Sequence, residues 1–347
     1  MLYQYFIIIG LLITYCFQVY TQALEWDTTH YIWDFGLISA CDKGMDKKPQ
    51  IYFSCEHEFD KHAYQACKAG DIVWVQCRFL SEFYQQVLPT LKHPIVLLVS
   101  DGDESFPSDC DKNFNIEDLL SHPLIIHVFA QNCDYAGSSK KVSHIPIGMD
   151  FHTVAYKGES GGWGEKGLPQ EQEAQLRDIL KTLKPTHLRK KKAFVDFQVA
   201  DTMHGGFRRY LQFHEDRRSI FNRLLPTGLI DYDGWMRRSD LWRRKGEYAF
   251  SISPHGNGLD CHRTWEDMVL GCIVIVKTSP LDPMYQGLPI VIVKDWSEIT
   301  IKNLDKWLRQ YSDAFTNPAY REKLTNYYWF SKILAKVQLY KTSKEVQ

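Results

Sequence analysis

The sequence predicts an α/β protein of two Rossmann-like units, and three observations predict it. First, short apolar runs rich in β-branched residues recur at 95–100 (IVLLVS), 124–130 (LIIHVFA), 145–148, 193–197, 248–253 (YAFSIS), 273–276 (IVIV) and 290–293 (IVIV). Second, helical stretches separate several of these runs, at 170–183, 207–225, 261–270 and 304–311. Near-continuous apolar strands alternating with helices mark parallel sheets covered on both faces. Third, the alternation breaks once, at 156–167 (YKGESGGWGEKG), where five glycines without periodicity form a linker.

The chain has 347 residues, 44% hydrophobic and 14% aromatic, which is ample for two cores. That aromatic content excludes disorder as the main state. Only 21 Gly and 14 Pro exclude collagen-like and low-complexity classes. A net charge of −1 removes any global case for nucleic-acid binding, so a basic site has to be local. Charge is indeed uneven: between Lys181 and Lys245 there are 16 Lys plus Arg against 7 Asp plus Glu. The basic residues come in pairs, at Arg208–Arg209, Arg217–Arg218, Arg237–Arg238 and Arg243–Arg244. This is either a solvated face or an anion-facing surface on the second unit.

At the amino terminus, residues 6–20 (FIIIGLLITYCFQVY) form an uncharged apolar run. It is shorter than the roughly 20 residues a spanning helix wants. It is therefore a cleaved signal peptide ending at Ala23, or a short uncleaved anchor. Either reading sends the rest of the chain into the secretory route: ER or Golgi membrane in type II orientation, the lumen, or secretion after cleavage. Six cysteines (Cys41, Cys55, Cys67, Cys77, Cys110, Cys133) lie in the first part of the chain, and an oxidising lumen would let some of them pair. None forms a CxxC, which argues against a zinc ribbon. The tail from residue 321 is one further amphipathic helix.

The most informative segment is 251–289 (SISPHGNGLDCHRTWEDMVLGCIVIVKTSPLDPMYQGLP). A strand runs into a loop holding Gly256 and Gly258. Asp260 is placed as helix N-cap and Gly271 as the C′ residue, and a second strand follows. This is a βαβ half of the kind that holds a nucleotide. His262 and Arg263 stand in the first helical turn, where the helix dipole disfavours cations by about 0.3–1 kcal/mol each. An anion such as a diphosphate in front of that turn would explain them. Glu266, one turn deeper on the same face, is then placed to accept hydrogen bonds from ribose hydroxyls. The alternative is an ordinary exposed Arg–Glu pair.

From Ser253 to Thr300 the chain resembles the carboxy-terminal half of exostosin-type glycosyltransferases. HVFAQNC (127–133) and IPIGMDFHT (145–153) extend the resemblance to about 90–310. The resemblance implies a GT-B architecture, in which two Rossmann-like domains face a cleft. It implies an inverting, metal-independent transferase of the secretory pathway, with a nucleotide-sugar on the second domain and an acceptor on the first. It places Glu266 on the ribose and Arg263 at the donor. His255 stands where many of these enzymes carry Arg. The expected divisions are a signal segment at 1–23, an acceptor domain at 24–155, a linker and connecting helix at 156–185, a nucleotide-sugar domain at 186–320 and a terminal helix at 321–347.

The expected donor set is Arg208, Arg209, Gly256, Gly258, His262, Arg263, Glu266, Lys277 and Thr278. MHGGFRR (203–209) repeats the pattern of glycine followed by basic residues, and Lys277 and Thr278 end a strand where α/β ligands bind. The expected catalytic base is Asp103 or Asp150, at strand ends of the first unit, where Asp101, Asn132 and His152 also fall. Each is equally a routine turn residue. The expected donor is a nucleotide-sugar, a uridine diphosphate sugar foremost, and the acceptor a glycan or glycoprotein hydroxyl. No cofactor, metal or nucleic acid is expected, and membrane contact would run through the first segment if it is uncleaved. One rival is a metal-dependent transferase using Asp101-Gly-Asp103 as a DxD chelator. Another is an inactive glycan-binding protein that kept the fold. An oxidoreductase is disfavoured, because no GxGxxG with a following acidic residue occurs.

Overall fold

The computed structural model describes residues 29–44, 58–110, 115–157, 163–199 and 217–345. The segment 1–23, Cys55, Arg208 and Arg209 lie outside them, as does the middle of the glycine-rich stretch. Among the described residues no helix is long and apolar enough to cross a membrane.

Among the described residues nine strands form two all-parallel sheets, so the two-unit α/β expectation is met. The first sheet has the order β1 (Ile72–Gln76), β2 (Ile95–Ser100), β3 (Ile125–Ala130), β4 (Val142–His144). The second contains β5 (Lys190–Phe194), β6 (Ile230–Asp231), β7 (Tyr248–Ile252), β8 (Ile273–Lys277) and β9 (Ile290–Val293), in the order β6-β5-β7-β8-β9. Every residue of β1, β2 and β7 is buried, which is why these segments show no polar alternation. Val96 pairs with His127 in the first sheet, and Val274 with Ile290 in the second.

Four expected elements differ from the structure. The strand expected at 145–148 lies instead at Val142–His144. Gly148 adopts a φ of +72°, and a Cβ there would lie 2.3 Å from the Ile32 carbonyl oxygen, so the chain turns away from the sheet. The strand expected at 193–197 starts earlier, at Lys190, because Lys191 and Lys192 reach outward to Asp305 and Asp231. The tail is two helices, Pro318–Glu322 and Asn326–Glu345, and the second packs back on the first sheet. Tyr31 bridges Thr325, so the tail and the start of the described chain are tied together. The expected linker begins inside a helix, His152–Lys157. The helix expected at 207–225 is described only over Arg217–Leu224.

One apolar core runs through both units. It includes Trp33, Ile147 and Met149 from the first, Trp265, Met268 and Val274 from the second, and Trp329 and Ile333 from the tail helix. The two sheets are therefore packed on each other through side chains, not joined by a bare hinge. Seven described cysteines are free thiols, and the Cys77 and Cys110 sulfurs lie 3.8 Å apart.

His127, on β3, is buried with one ring nitrogen 2.8 Å from the Ser143 hydroxyl. Burial, with Lys336 and Lys141 nearby, drops its pKa to about 3. A histidine depressed in this way stabilises the fold above its ordinary pKa, and that contribution is lost progressively as pH falls toward the folded value. The melting temperature should therefore drop between about pH 7 and about pH 4, and His127→Gln should flatten the drop. An unchanged slope in the variant would mean His127 is not the responsible group.

Candidate active site at the junction of the two sheets

The carboxyl ends of β2, β3 and β4 meet the loop that follows β7. Asn132, at the end of β3 with φ +47°, accepts the Asp260 N–H at 2.8 Å. Asp260 in turn accepts the Ile147 N–H at 2.9 Å and the Trp265 indole N–H. Asp260 was expected as the helix N-cap, but the helix is His262–Val269 and its N-cap is Cys261. The Asp260 carboxylate accepts from Cys261 N–H and, at the same time, bolts one unit to the other. Burial raises its pKa to about 6, even with these donors in place. Gly271 follows the helix with φ +81°, as expected of a C′ glycine.

Gly256 and Gly258 have no positive φ, so close approach explains them, not backbone freedom. A Cβ on Gly258 would lie 2.7 Å from the Asn132 amide and 3.1 Å from the Asp103 carbonyl oxygen. Gly258 therefore lets the two units touch. A Cβ on Gly256 would lie 3.2 Å from an Arg217 guanidinium nitrogen and 3.1 Å from the Cys261 sulfur.

Two guanidinium groups converge on this loop. Arg217 donates to the His255 carbonyl through two nitrogens, at 3.1 and 3.0 Å. Arg263 donates to the Pro254 carbonyl at 3.1 Å, and its Nε lies 3.4 Å from Asp196 Oδ1. Burial, with Arg263 as a like-charged neighbour, pulls the Arg217 pKa down to about 10. Behind them Lys245 is fully buried between Asp196, at 2.5 Å, and Asp267. This network holds Asp196 beside Arg263. Arg217 was visible in the sequence only as one of four arginine pairs. Its approach to residue 255 depends on the fold.

Other arginines and lysines of the basic stretch have local acidic partners: Arg223 with Asp295, Arg243 with Asp240, Arg244 with Asp233, Lys190 with Glu247. The surplus seen in the sequence is thus neutralised at these positions, while Arg217 is drawn to the His255 carbonyl beside Arg263, which itself faces Asp196.

Glu266 is placed differently from the sequence expectation. It is buried, ion-paired to Arg238 at 2.5 Å, and accepts the Trp242 indole N–H at 3.3 Å. Arg238 also reaches Gln172 at 2.8 Å. The helix carrying Arg238 and Trp242, Arg238–Lys245, has no counterpart among the expected elements. Lys277 is half-buried at the end of β8. Thr278 donates to Asp282 at 2.6 Å and closes a turn.

In the first unit, Asp101 and Asp103 follow β2. Asp101 has φ +63°, a left-handed conformation that, glycine aside, Asn and Asp adopt more readily than other residues. It accepts from the Gln76 amide at 3.0 Å, and burial with Asp34 nearby lifts its pKa to about 7. Asp103 is exposed, and its charge bears on Cys261 at the helix start. Asp150 accepts the Thr153 N–H at 2.9 Å and faces His152. Burial would raise Asp150, but His152, His262 and Arg238 outweigh it and hold its carboxyl below the usual range. His262 lies against the first unit, with Nδ1 2.8 Å from the Gly148 carbonyl. The His262 side of the first helical turn is therefore closed by the first unit. On the other side of that turn Arg263 lies beside residues 254–256, its side chain 13% exposed and facing Asp196.

No protein-family model matches this chain, and no curated protein matches it significantly. Among solved structures, it is similar to an α,α-trehalose 6-phosphate synthase from Burkholderia multivorans, at 12% identity over 86% of this chain and 79% of that one (TM-score 0.37). It is also similar to the N-terminal domain of a Candida albicans trehalose-6-phosphate phosphatase, at 12% identity, 84% and 78% coverage, TM-score 0.41. A sucrose-phosphate synthase from Thermosynechococcus elongatus gives 13% identity, 80% and 74% coverage, TM-score 0.35. None of these likenesses is close enough to transfer a residue's role.

Proposed function

We propose that the protein is a GT-B-type glycosyltransferase that moves a sugar from a nucleotide-sugar to a glycan or glycoprotein hydroxyl, with inversion. The observation that carries the reading is the convergence of Arg217 and Arg263 on the loop after β7, at the carboxyl ends of a parallel sheet. Two guanidinium groups held side by side are a receptor for a dianion, and that edge is where α/β sheets bind ligands.

In this reading the diphosphate of a uridine diphosphate sugar lies against Arg217, Arg263 and Gly256. The acceptor oxygen attacks the anomeric carbon, and the bond from that carbon to the diphosphate breaks. Charge develops on the leaving diphosphate and is met by the two guanidinium groups, a role that metal ions play elsewhere. Asp103 takes the proton from the acceptor hydroxyl. It is preferred to Asp150 and Asp101 because it alone of the three is exposed, at the junction beside Gly258. Residence in the secretory pathway belongs to the same reading and rests on the apolar run at 6–20.

The test is a panel of nucleotide-sugars incubated with the protein and mixed glycan acceptors. Release of nucleoside diphosphate should require an acceptor, and the product's anomeric configuration by NMR should be opposite to the donor's. Retained configuration would refute inversion. Nucleotide binding without turnover on any acceptor would favour the inactive glycan-binding reading.

A further inference from the structure

The geometry points to a second site at the junction, a divalent transition-metal site formed by Asp150, His152 and His262. Donor atoms of these three side chains lie within 4.8 Å of one another. Asp150 and His152 flank the start of the helix His152–Lys157 in the first unit, and His262 opens its helix in the second.

Three features distinguish this cluster from an ordinary hydrogen-bonded group. First, His152 Nδ1 lies 3.2 Å from Asp150 Oδ1, yet this buried nitrogen has no hydrogen-bond partner among the described residues. A close nitrogen–oxygen contact without hydrogen-bond geometry is what two ligands of one ion show. Metal–ligand bonds of about 2.0–2.2 Å at tetrahedral angles put neighbouring donors about 3.3–3.6 Å apart. Second, His262 Nδ1 lies 2.8 Å from the Gly148 carbonyl, an oxygen that can only accept. That fixes the tautomer with hydrogen on Nδ1 and leaves the Nε2 lone pair free. Such a carbonyl-anchored imidazole is the usual support of a metal-bound histidine. Third, Asp150 is not the only carboxyl facing His152: Asp34 and Asp101 also bear on it, with Arg238 acting against them. The local field favours a cation.

Two imidazoles and one carboxylate are a donor set suited to zinc and similar ions, with one position left for water. The ligands come from both units, so the ion would clamp the junction. His262 and Arg263 are adjacent and project about 100° apart around the helix, so the clamp does not occupy the diphosphate's approach. The inference does not rest on the proposed transferase reading.

The experiment uses the full chain, stripped with a chelator, reloaded with zinc chloride and desalted. About one zinc per chain should be retained, and the melting temperature should rise on loading. Cobalt(II) in place of zinc should give the visible absorption of a tetrahedral site. His152→Ala and His262→Ala should each weaken retention by at least about tenfold. Asp150→Asn preserves size and tests the same site if a histidine variant fails to fold. Zinc retention unchanged in a folded variant would overturn the proposal. So would negligible retention by the unaltered protein, with no shift in melting temperature.

Discussion

Asp103→Asn should lower the turnover of sugar transfer by about 10²–10⁴-fold while leaving nucleoside diphosphate affinity unchanged. The amide has nearly the same shape but cannot accept the acceptor's proton, so binding survives and the chemical step does not. Asp103 is exposed, and the atom it sets against Gly258 is its backbone carbonyl oxygen, which the substitution keeps. Asp101→Asn is the informative companion. Asp101 titrates at about 7 and sits two residues away in a left-handed backbone. If Asp101 were the base, it would carry the loss of turnover and Asp103→Asn would stay active.

Glu266→Ala should destabilise the fold by about 3–5 kcal/mol, because it leaves the buried Arg238 guanidinium without its carboxylate. Trp242 would lose an acceptor at the same time. Glu266→Gln keeps one oxygen, enough for Arg238 but not for Trp242 as well, and should cost less than the alanine. Chemical denaturation reads both. A variant that unfolds like the unaltered protein but loses nucleotide affinity would restore the ribose-binding role expected from the sequence.

Glu266 also shows where sequence reasoning stops. Helical spacing placed it correctly, one turn beyond Arg263 on the helix His262–Val269, and glycine at 271 marked the end of that helix. The βαβ order of β7, helix and β8 was legible because burial on both faces leaves a plain apolar signature. Glu266's partner was not legible. Arg238 lies 28 positions upstream on a helix whose sequence, RSDLWRRK, has a polar surface pattern and weak periodicity. The strand Ile72–Gln76, absent from the expected elements, carries a β-branched signature like the others. The Asp150–His152–His262 cluster joins positions more than 100 residues apart, and no local spacing announces it. Asp260 shows the converse: an N-cap residue type one position too early, used to fasten two units.

Docking of a diphosphate between Arg217 and Arg263 can be read by calorimetry on uridine diphosphate and uridine. The unaltered protein should bind the diphosphate much more tightly than the nucleoside. Arg217→Ala and Arg263→Ala should each weaken the diphosphate by about ten- to hundredfold, through loss of charge-assisted hydrogen bonds, and change uridine little. Equal losses for both ligands, or diphosphate binding untouched by either substitution in a folded protein, would contradict the account.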